Sequence, residues 1–262
     1  MKKGIYIGGL PEGYSYREKF ELAKRAGFDG VEVSTVESQS ELEEIKRASE
    51  ETGVKVPSIM NEGHWQHPFS SKDSSDIEKA ISGMRRSLEC AEFLGADTVL
   101  LVPGLVKEDV TYEEAMKNSV ANIKRIIPEY EAKGIFIGIE NVWNKFLLSP
   151  IEFKEYVDGF GSDIVKAYFD VGNILLYGYP EHWIRSLGKR IKKVHLKDFR
   201  LSSKSFVYLW QGDVNWKAVM EALKEVGYDD YLTAELPPDK SDPEGRVHKI
   251  SEDMDRIMNL LK

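Results

Sequence analysis

One phrase recurs along the chain and limits what it can become. An amphipathic helical stretch ends in a glycine, and a short apolar run follows. Leu22-Ala23-Lys24-Arg25-Ala26-Gly27 leads into Gly30-Val31-Glu32-Val33, and residues 48–52 with Gly53 lead into residues 54–60. Residues 90–94 with Gly95 precede residues 98–102, residues 130–133 with Gly134 precede 135–139, and residues 223–226 with Gly227 precede 231–234. Glycine at a helix end takes the left-handed conformation that stops the helix and redirects the chain. The runs are continuously apolar rather than alternating, which is the pattern of a parallel sheet covered on both faces. Residues 5–7, 164–169 and 191–195 bring the strand candidates to eight.

Start signals for the intervening helices are also present. Ser40 precedes Glu43, Thr111 precedes Glu114, and Ser149 precedes Pro150 and Glu152. Ser75 or Asp76 is the expected cap of the long helix ending near Leu94, and a last helix runs from about Glu244 to Leu261. Eight alternating units without a break in composition predict the α/β class: a single (β/α)₈ TIM barrel, one domain over residues 1–262. The length suits one such barrel, which takes about 250 residues. A 42% apolar content is enough to fill it. The rival, an open doubly wound sheet, would favour a glycine-rich phosphate loop after the first strand. Gly8-Gly9-Leu10-Pro11 does not have the G-x-G-x-x-G spacing.

Composition then removes several classes of function. The one cysteine, Cys90, excludes an internal disulfide and a thiolate metal cluster, and its apolar helical context reads as packing. Lys+Arg 36 against Asp+Glu 44 gives a net charge of −8. Non-specific binding to nucleic acid or anionic membranes needs a basic face, so neither is an expected partner. The apolar run after Lys2-Lys3 is cut short by Gly8-Gly9-Leu10-Pro11, too early for a signal peptide. No run approaches the roughly 18 apolar residues of a membrane helix. The expectation is a soluble, cytoplasmic protein.

Four consecutive strand candidates end in residues of metal-ligand type. Glu140 follows 135–139, Asp170 follows 165–169, His195 follows 191–194, and Glu235 follows 231–234. In a barrel of this kind chemistry sits at the carboxyl ends of the strands, so three carboxylates and one imidazole point at one mouth. Converging carboxylates repel and raise one another's pKa, and a divalent cation removes that cost. An oxygen-rich set with one nitrogen suits manganese, magnesium or cobalt, with zinc less favoured in the absence of sulfur.

These residues lie in stretches that resemble the sugar phosphate isomerase/epimerase family of xylose isomerase-like TIM barrels, and most of all its ketose 3-epimerases. The stretches are Glu140-Asn141-Val142-Trp143-Asn144-Lys145-Phe146-Leu147, Phe169-Asp170-Val171-Gly172-Asn173 and Val194-His195-Leu196-Lys197-Asp198. Gln211-Gly212-Asp213-Val214-Asn215-Trp216 and Thr233-Ala234-Glu235 complete the set. His64-Trp65-Gln66-His67-Pro68-Phe69-Ser70-Ser71 resembles the loop after strand three of L-ribulose-5-phosphate 3-epimerases. With the helix–Gly–strand spacing, the likeness covers essentially the whole chain.

The resemblance implies one divalent metal ion, manganese before cobalt, magnesium or zinc, held by Glu140, Asp170, His195 and Glu235. It also implies that Glu140 and Glu235 are the acid/base pair. Epimerisation beside a ketone passes through an enediolate, whose charge a Lewis acid stabilises. Two carboxylates on opposite faces take the proton and return it. Family members are often dimers or tetramers, which implies a homo-oligomer.

Departures narrow the reading. Endonuclease IV, in the same superfamily, binds extra zinc ions through histidines. Here Val102-Pro103-Gly104, Asn173 and Gln211-Gly212-Asp213 stand in those places, which argues against DNA repair. Tagatose 3-epimerase-type enzymes carry a glutamate near position 147 and a histidine at 173, where this chain has Leu147 and Asn173.

His64, Trp143, Asn173, Lys197 and Arg200 are the expected substrate-binding residues. Lys197 lies two residues past His195, on the same side of an extended strand. Arg200 opens the basic, hydroxyl-rich run Arg200-Leu201-Ser202-Ser203-Lys204 in a region where barrels often bind phosphate, which favours a phosphorylated sugar. Glu32 is a candidate carboxylate behind the site or toward the substrate. The leading expectation is a metal-dependent C3 epimerase of a ketose or ketopentose 5-phosphate. An aldose–ketose isomerase and an inosose- or dehydroshikimate-type dehydratase are the alternatives on the same site. A sugar-binding protein with a decayed site is disfavoured by the complete four-residue set.

Overall fold

A computed structural model describes residues 1–261. The strands are β1 (Lys2–Tyr6), β2 (Gly30–Ser34), β3 (Ser58–Met60), β4 (Thr98–Leu101), β5 (Phe136–Glu140), β6 (Val165–Asp170), β7 (Ile191–Leu196), β8 (Asp198–Arg200), β9 (Ser205–Val207) and β10 (Tyr231–Ala234). The helices are α1 (Tyr16–Ala26), α2 (Gln39–Thr52), α3 (Ser74–Leu94), α4 (Tyr112–Ile123), α5 (Ile127–Lys133), α6 (Pro150–Asp158), α7 (Val171–Ile174), α8 (Pro180–Leu187), α9 (Trp216–Glu225) and α10 (Pro243–Met258). Eight strands close a parallel barrel in the order β1-β10-β7-β6-β5-β4-β3-β2, with the helices packed outside. The short β8–β9 pair is antiparallel and stands apart as a hairpin.

The recurring glycines behave as the sequence predicts. Gly27, Gly53, Gly95, Gly134 and Gly227 all take positive φ, between 65° and 86°. Each follows a helix, and a strand begins within a few residues. Thr111 and Ser149 cap α4 and α6 as expected, each hydroxyl accepting the N–H of the glutamate three residues on.

Other boundaries differ. Ser38, not Ser40, caps α2, because the helix starts at Gln39 and leaves Ser40 inside its first turn. Asp73 caps α3 in place of Ser75 or Asp76; it accepts the Ser75 N–H, while Asp76 pairs with His67 at 2.9 Å. The run 54–60 forms a strand only from Ser58. Lys55 makes an isolated bridge to Gly30, and Pro57, with no N–H to donate, interrupts the ladder between them. α10 ends at Met258 and passes into a single 3₁₀ turn at Asn259–Leu261.

Both faces of the strands are covered. Ile5, Val31, Ile59, Val99, Ile137, Val194 and Leu232 are buried, as are Phe20, Leu88, Phe153, Ile184 and Leu223 on the surrounding helices. Tyr168 lies within the barrel, across the strands below His195, with ring centroids 4.4 Å apart. Gly138 makes room for it: a Cβ there would lie 3.0 Å from the Tyr168 ring and 3.2 Å from Thr98. At the opposite end, buried Lys193 reaches Asp97 and Asp230 at 2.9 and 2.8 Å and closes the floor. No helix among the described residues is long and apolar enough to cross a membrane.

Phe153 tests the helix layer. It is fully buried on α6, edge-on to Trp183 at 6.1 Å. Phe153→Ala is expected to lower stability by about 3–5 kcal/mol. Urea unfolding should show a lower midpoint with an unchanged slope.

Candidate active site

The barrel register brings the four strand-end residues together. Asp170 pairs directly with His195 across β6 and β7, Thr233 of β10 pairs with His195 from the other side, and Glu140 closes β5 beside Tyr168. Glu140, Asp170, His195 and Glu235 each offer a ligand atom, all within 4.8 Å of one another. His195 Nδ1 lies 3.1 Å from Glu140 Oε1 and 2.8 Å from Glu235 Oε2.

The other imidazole nitrogen is held from behind. His195 Nε2 lies 2.6 Å from Glu32 Oε2, and both side chains are fully buried. Glu32 Oε1 accepts the Tyr168 hydroxyl at 3.0 Å, and the Tyr168 oxygen is 3.2 Å from Ser58 Oγ. This chain fixes the ring with Nδ1 toward the cluster. Glu32 therefore stands behind the histidine, one of its two sequence-level placements. Nothing in the sequence singled out Tyr168 or Ser58 for this role.

Asp170 is oriented by its own loop. Its Oδ1 accepts the Asn173 N–H at 2.7 Å and caps α7, which turns Oδ2 toward Lys197 Nζ at 3.2 Å. Lys197 Nζ also lies 2.8 Å from Glu235 Oε2. Asn141 straps the strand ends together: its amide donates to the Asp170 carbonyl at 2.8 Å and accepts the Asp170 N–H at 2.9 Å. Gly172 permits this closeness, since a Cβ there would stand 2.9 Å from the Lys197 carbonyl oxygen.

Burial and charge oppose each other throughout the cluster. Burial raises Glu140 to about 7, against the pull of His195 and Lys197. Burial also acts to raise Glu235, but the cations on His195 and Lys197 outweigh it and hold that carboxyl down at about 2. Asp170 is raised by burial, with Lys197 opposing. His195 is driven well above its ordinary value; burial disfavours its charge, but Glu32 and Glu235 more than compensate. Lys197 is likewise raised, its burial overcome by Asp170 and Glu235.

The residues fit a divalent cation on their own evidence. Asp170 Oδ2 and Glu235 Oε2 are buried and lack a well-directed hydrogen bond, although Lys197, and for Glu235 also His195, stand within ion-pair distance. Buried carboxylate oxygens left in that state are costly unless a cation meets them. Three oxygens and one nitrogen form the donor set.

The expected substrate contacts divide. His64 is buried beside Trp65, with Nδ1 unpartnered, and burial pushes its imidazole down to about 4 although the Glu235 charge pulls upward. It is therefore a neutral group at pH 7. Trp143 stacks on Phe206 with ring centroids 4.7 Å apart and meets Phe199 edge-on at 5.3 Å, while its Nε1 donates to the Asn173 carbonyl. Lys197 reaches the cluster itself. Asn173 and Arg200 do not. The Asn173 amide donates to the Asn141 carbonyl at 2.9 Å, and the Arg200 guanidinium donates to the Gln211 carbonyl. Both hold loops rather than face the cluster.

Sequence reasoning missed Phe206, which reaches the mouth on the β8–β9 hairpin. Asp198 anchors that hairpin by accepting the N–H groups of Phe199, Gly212 and Val214 at 2.9, 3.0 and 3.2 Å. Asp198 was visible in the His195-Leu196-Lys197-Asp198 run, but its partners lie 14 and 16 residues on, and nothing local announces them.

Comparison with known proteins agrees with this architecture. Residues 20–260 match the family model described as xylose isomerase-like TIM barrel. The L-ribulose-5-phosphate 3-epimerase UlaE of Escherichia coli O1:K1 / APEC is 27% identical over 262 residues, covering 94% of this chain and 91% of that protein. A crystal structure of a D-tagatose 3-epimerase-like protein superposes with a TM-score of 0.84 at 21% identity, covering 99% and 98% of the two chains. IOLI protein with a bound zinc atom superposes with a TM-score of 0.77 at 20% identity, covering 98% of each chain. The two solved structures share the fold.

Two outcomes follow from the cluster. Glu32→Gln is expected to weaken divalent metal binding about 10- to 100-fold, measured by calorimetry, because it removes the charge that orients Nδ1. Metal affinity is also expected to rise with pH through about 7, where Glu140 loses its proton, since the ligands bind deprotonated. Proton release, read from the dependence of binding heat on buffer ionisation, should accompany it. A pH-independent affinity between 6 and 8 would contradict the assignment.

Proposed function

This chain belongs to the xylose isomerase-like TIM barrel family, and we propose that it is a divalent-metal-dependent epimerase acting at C3 of a ketose or ketopentose 5-phosphate. Its curated relatives and structural neighbours are epimerases, which places it among the isomerases. The observation that carries the reading is the placement of two glutamates around one imidazole nitrogen. Glu140 comes from β5 and Glu235 from the end of β10, with β6 and β7 between them in the barrel. Two carboxylates so placed flank a single small volume from different sides.

That arrangement suits inversion of a carbon beside a carbonyl. The C3 hydrogen is acidic because the neighbouring C2 carbonyl shares the charge left by its removal. One glutamate accepts the proton on a carboxylate oxygen, and the other delivers a proton to the opposite face. General acid/base groups of this kind contribute about 10²–10⁴-fold each. Lys197 holds Glu235 ionised and in place through its 2.8 Å contact. Neutral His64 offers its unpartnered Nδ1 to a sugar hydroxyl. The Trp143–Phe206 stack walls the mouth against water and gives the apolar face of a sugar a surface to lie on.

Glu140, Asp170, His195 and Glu235 are the residues that would hold the metal, with manganese the first choice for an oxygen-rich site. When bound, the ion supplies Lewis-acid stabilisation of the charge developing on the substrate oxygens. A small-molecule sugar is the partner, and the protein works as a homo-oligomer, a dimer or tetramer.

Deuterium incorporation tests the chemistry. Turnover of a ketose in D₂O with Mn²⁺ is expected to label C3. Label at C1 or C2 would indicate aldose–ketose isomerisation, and an unsaturated product would indicate dehydration. Glu140→Gln and Glu235→Gln are each expected to lower kcat by at least ~10²-fold while far-ultraviolet circular dichroism stays unchanged. Retained turnover in both variants would remove the acid/base assignment.

A further inference from the structure

We infer that the substrate is an uncharged ketose, whose end remote from the reacting carbons lies in an apolar cavity beside Glu235, and that its phosphate ester is the poorer substrate. The inference rests on the epimerase reading above and selects between its two substrate classes.

The cavity measures about 270 Å³ and is lined by Tyr6, Gly8, Lys197, Phe206, Glu235, Leu236 and Pro237. It opens directly onto one member of the proposed acid/base pair, which makes it the place for the part of a substrate that lies beside Glu235. Aromatic and aliphatic groups make most of its wall. Tyr6 is held by Ser34 at 2.9 Å, and Gly8 lets the Tyr6 ring lie flat, since a Cβ would stand 2.5 Å from it. Its charged members are Glu235 and Lys197, and they already face each other at 2.8 Å.

A phosphoryl group brings a charge of about −1.5 to −2 and needs donors in a cradle. Barrels commonly supply these from the loops after strands seven and eight and from a helix N-terminus there. Here the provisions that border the cavity are engaged or absent. Lys197 is held between Asp170 and Glu235. Arg200 donates to the Gln211 carbonyl, and Lys204, exposed at the hairpin turn, does not line the cavity. After β10 the chain reads Glu235-Leu236-Pro237-Pro238, and the two prolines carry no N–H. Arg246 pairs with Asp239 at 2.9 Å and stacks over Tyr208. The N-terminus of α10 is capped by Asp242, which accepts the Gly245 N–H, and its first residue is Pro243.

The charge balance points the same way. Glu32, Glu140, Asp170 and Glu235 surround the site, against Lys197 and, when present, a divalent cation. One net negative charge remains around a neutral ligating imidazole. A neutral sugar meets no penalty there, and a phosphate ester meets repulsion.

The test compares kcat/KM for free ketopentoses and ketohexoses with their terminal phosphate esters on the Mn²⁺-loaded protein. Free sugars are expected to be favoured by at least about tenfold, the equivalent of ~1.4 kcal/mol. A phosphate ester used equally well or better would overturn this inference while leaving the epimerase reading intact. Absence of C3 epimerisation in both classes would remove the epimerase reading and this inference together. Phe206→Lys places a cation on the cavity wall and is expected to shift the ratio toward the phosphate ester about tenfold; an unchanged ratio places the remote end elsewhere and also overturns the inference. Calorimetry with inorganic phosphate supplies a readout independent of turnover. No saturable binding is expected, and saturable binding in the cavity, lost in Leu236→Glu, would contradict the proposal.

Discussion

The site depends on the 2.6 Å contact between Glu32 and His195 inside a fully buried barrel. A buried carboxylate beside a buried imidazole is stable only as a pair. The pair in turn requires a hydroxyl on the second carboxylate oxygen, which Tyr168 provides from β6. Tyr168 needs space across the barrel, and Gly138 leaves it. Four residues on four strands are thus committed to the direction of one nitrogen. With Nε2 occupied from behind, only Nδ1 faces the mouth, and the three carboxylates converge on it.

That convergence explains why charge rather than shape dominates the mouth. Four acids gather where burial disfavours each of them. Lys197 offsets part of the repulsion by lying between Asp170 and Glu235. The compensation is incomplete: one lysine and one imidazole face three clustered carboxylates, and two of the buried oxygens lack a well-directed hydrogen bond. A divalent cation is the chemical group that suits this surplus. The same surplus disfavours a second anion in the cavity next to Glu235. The proposed metal site and the proposed preference for an uncharged sugar therefore rest on one charge distribution.

Much of this was legible before any coordinates. The helix–Gly–strand phrase announces the barrel because glycine takes, without steric cost, the positive φ found at Gly27, Gly53, Gly95, Gly134 and Gly227. The four ligand-type residues were visible because they occupy equivalent places, each at the end of an apolar strand. Loop residues were less legible. Arg200 reads as a phosphate ligand from its type and neighbours, yet its guanidinium holds the Gln211 carbonyl eleven residues away. Asn173 reads as a substrate contact from its position, yet its amide supports Asn141. Ser40 and Asp76 read as helix caps from their type, and a shift of a few residues in where each helix begins gave those places to Ser38 and Asp73.

The sequence by itself determined the fold class and the identity of the four converging residues of ligand type, since both follow from periodic, local signals repeated along the chain. Strand ends in a closed parallel barrel meet at one rim whatever the details of the loops. Only the tertiary structure decided which imidazole nitrogen faces the mouth, that Lys197 lies between two carboxylates, and that Phe206 walls the cavity beside Glu235. Those outcomes depend on pairings between residues far apart in the chain, as far as the 163 positions between Glu32 and His195. Local propensity carries no information about such pairings, because each is settled by barrel register and by the charge that every buried group meets on arrival.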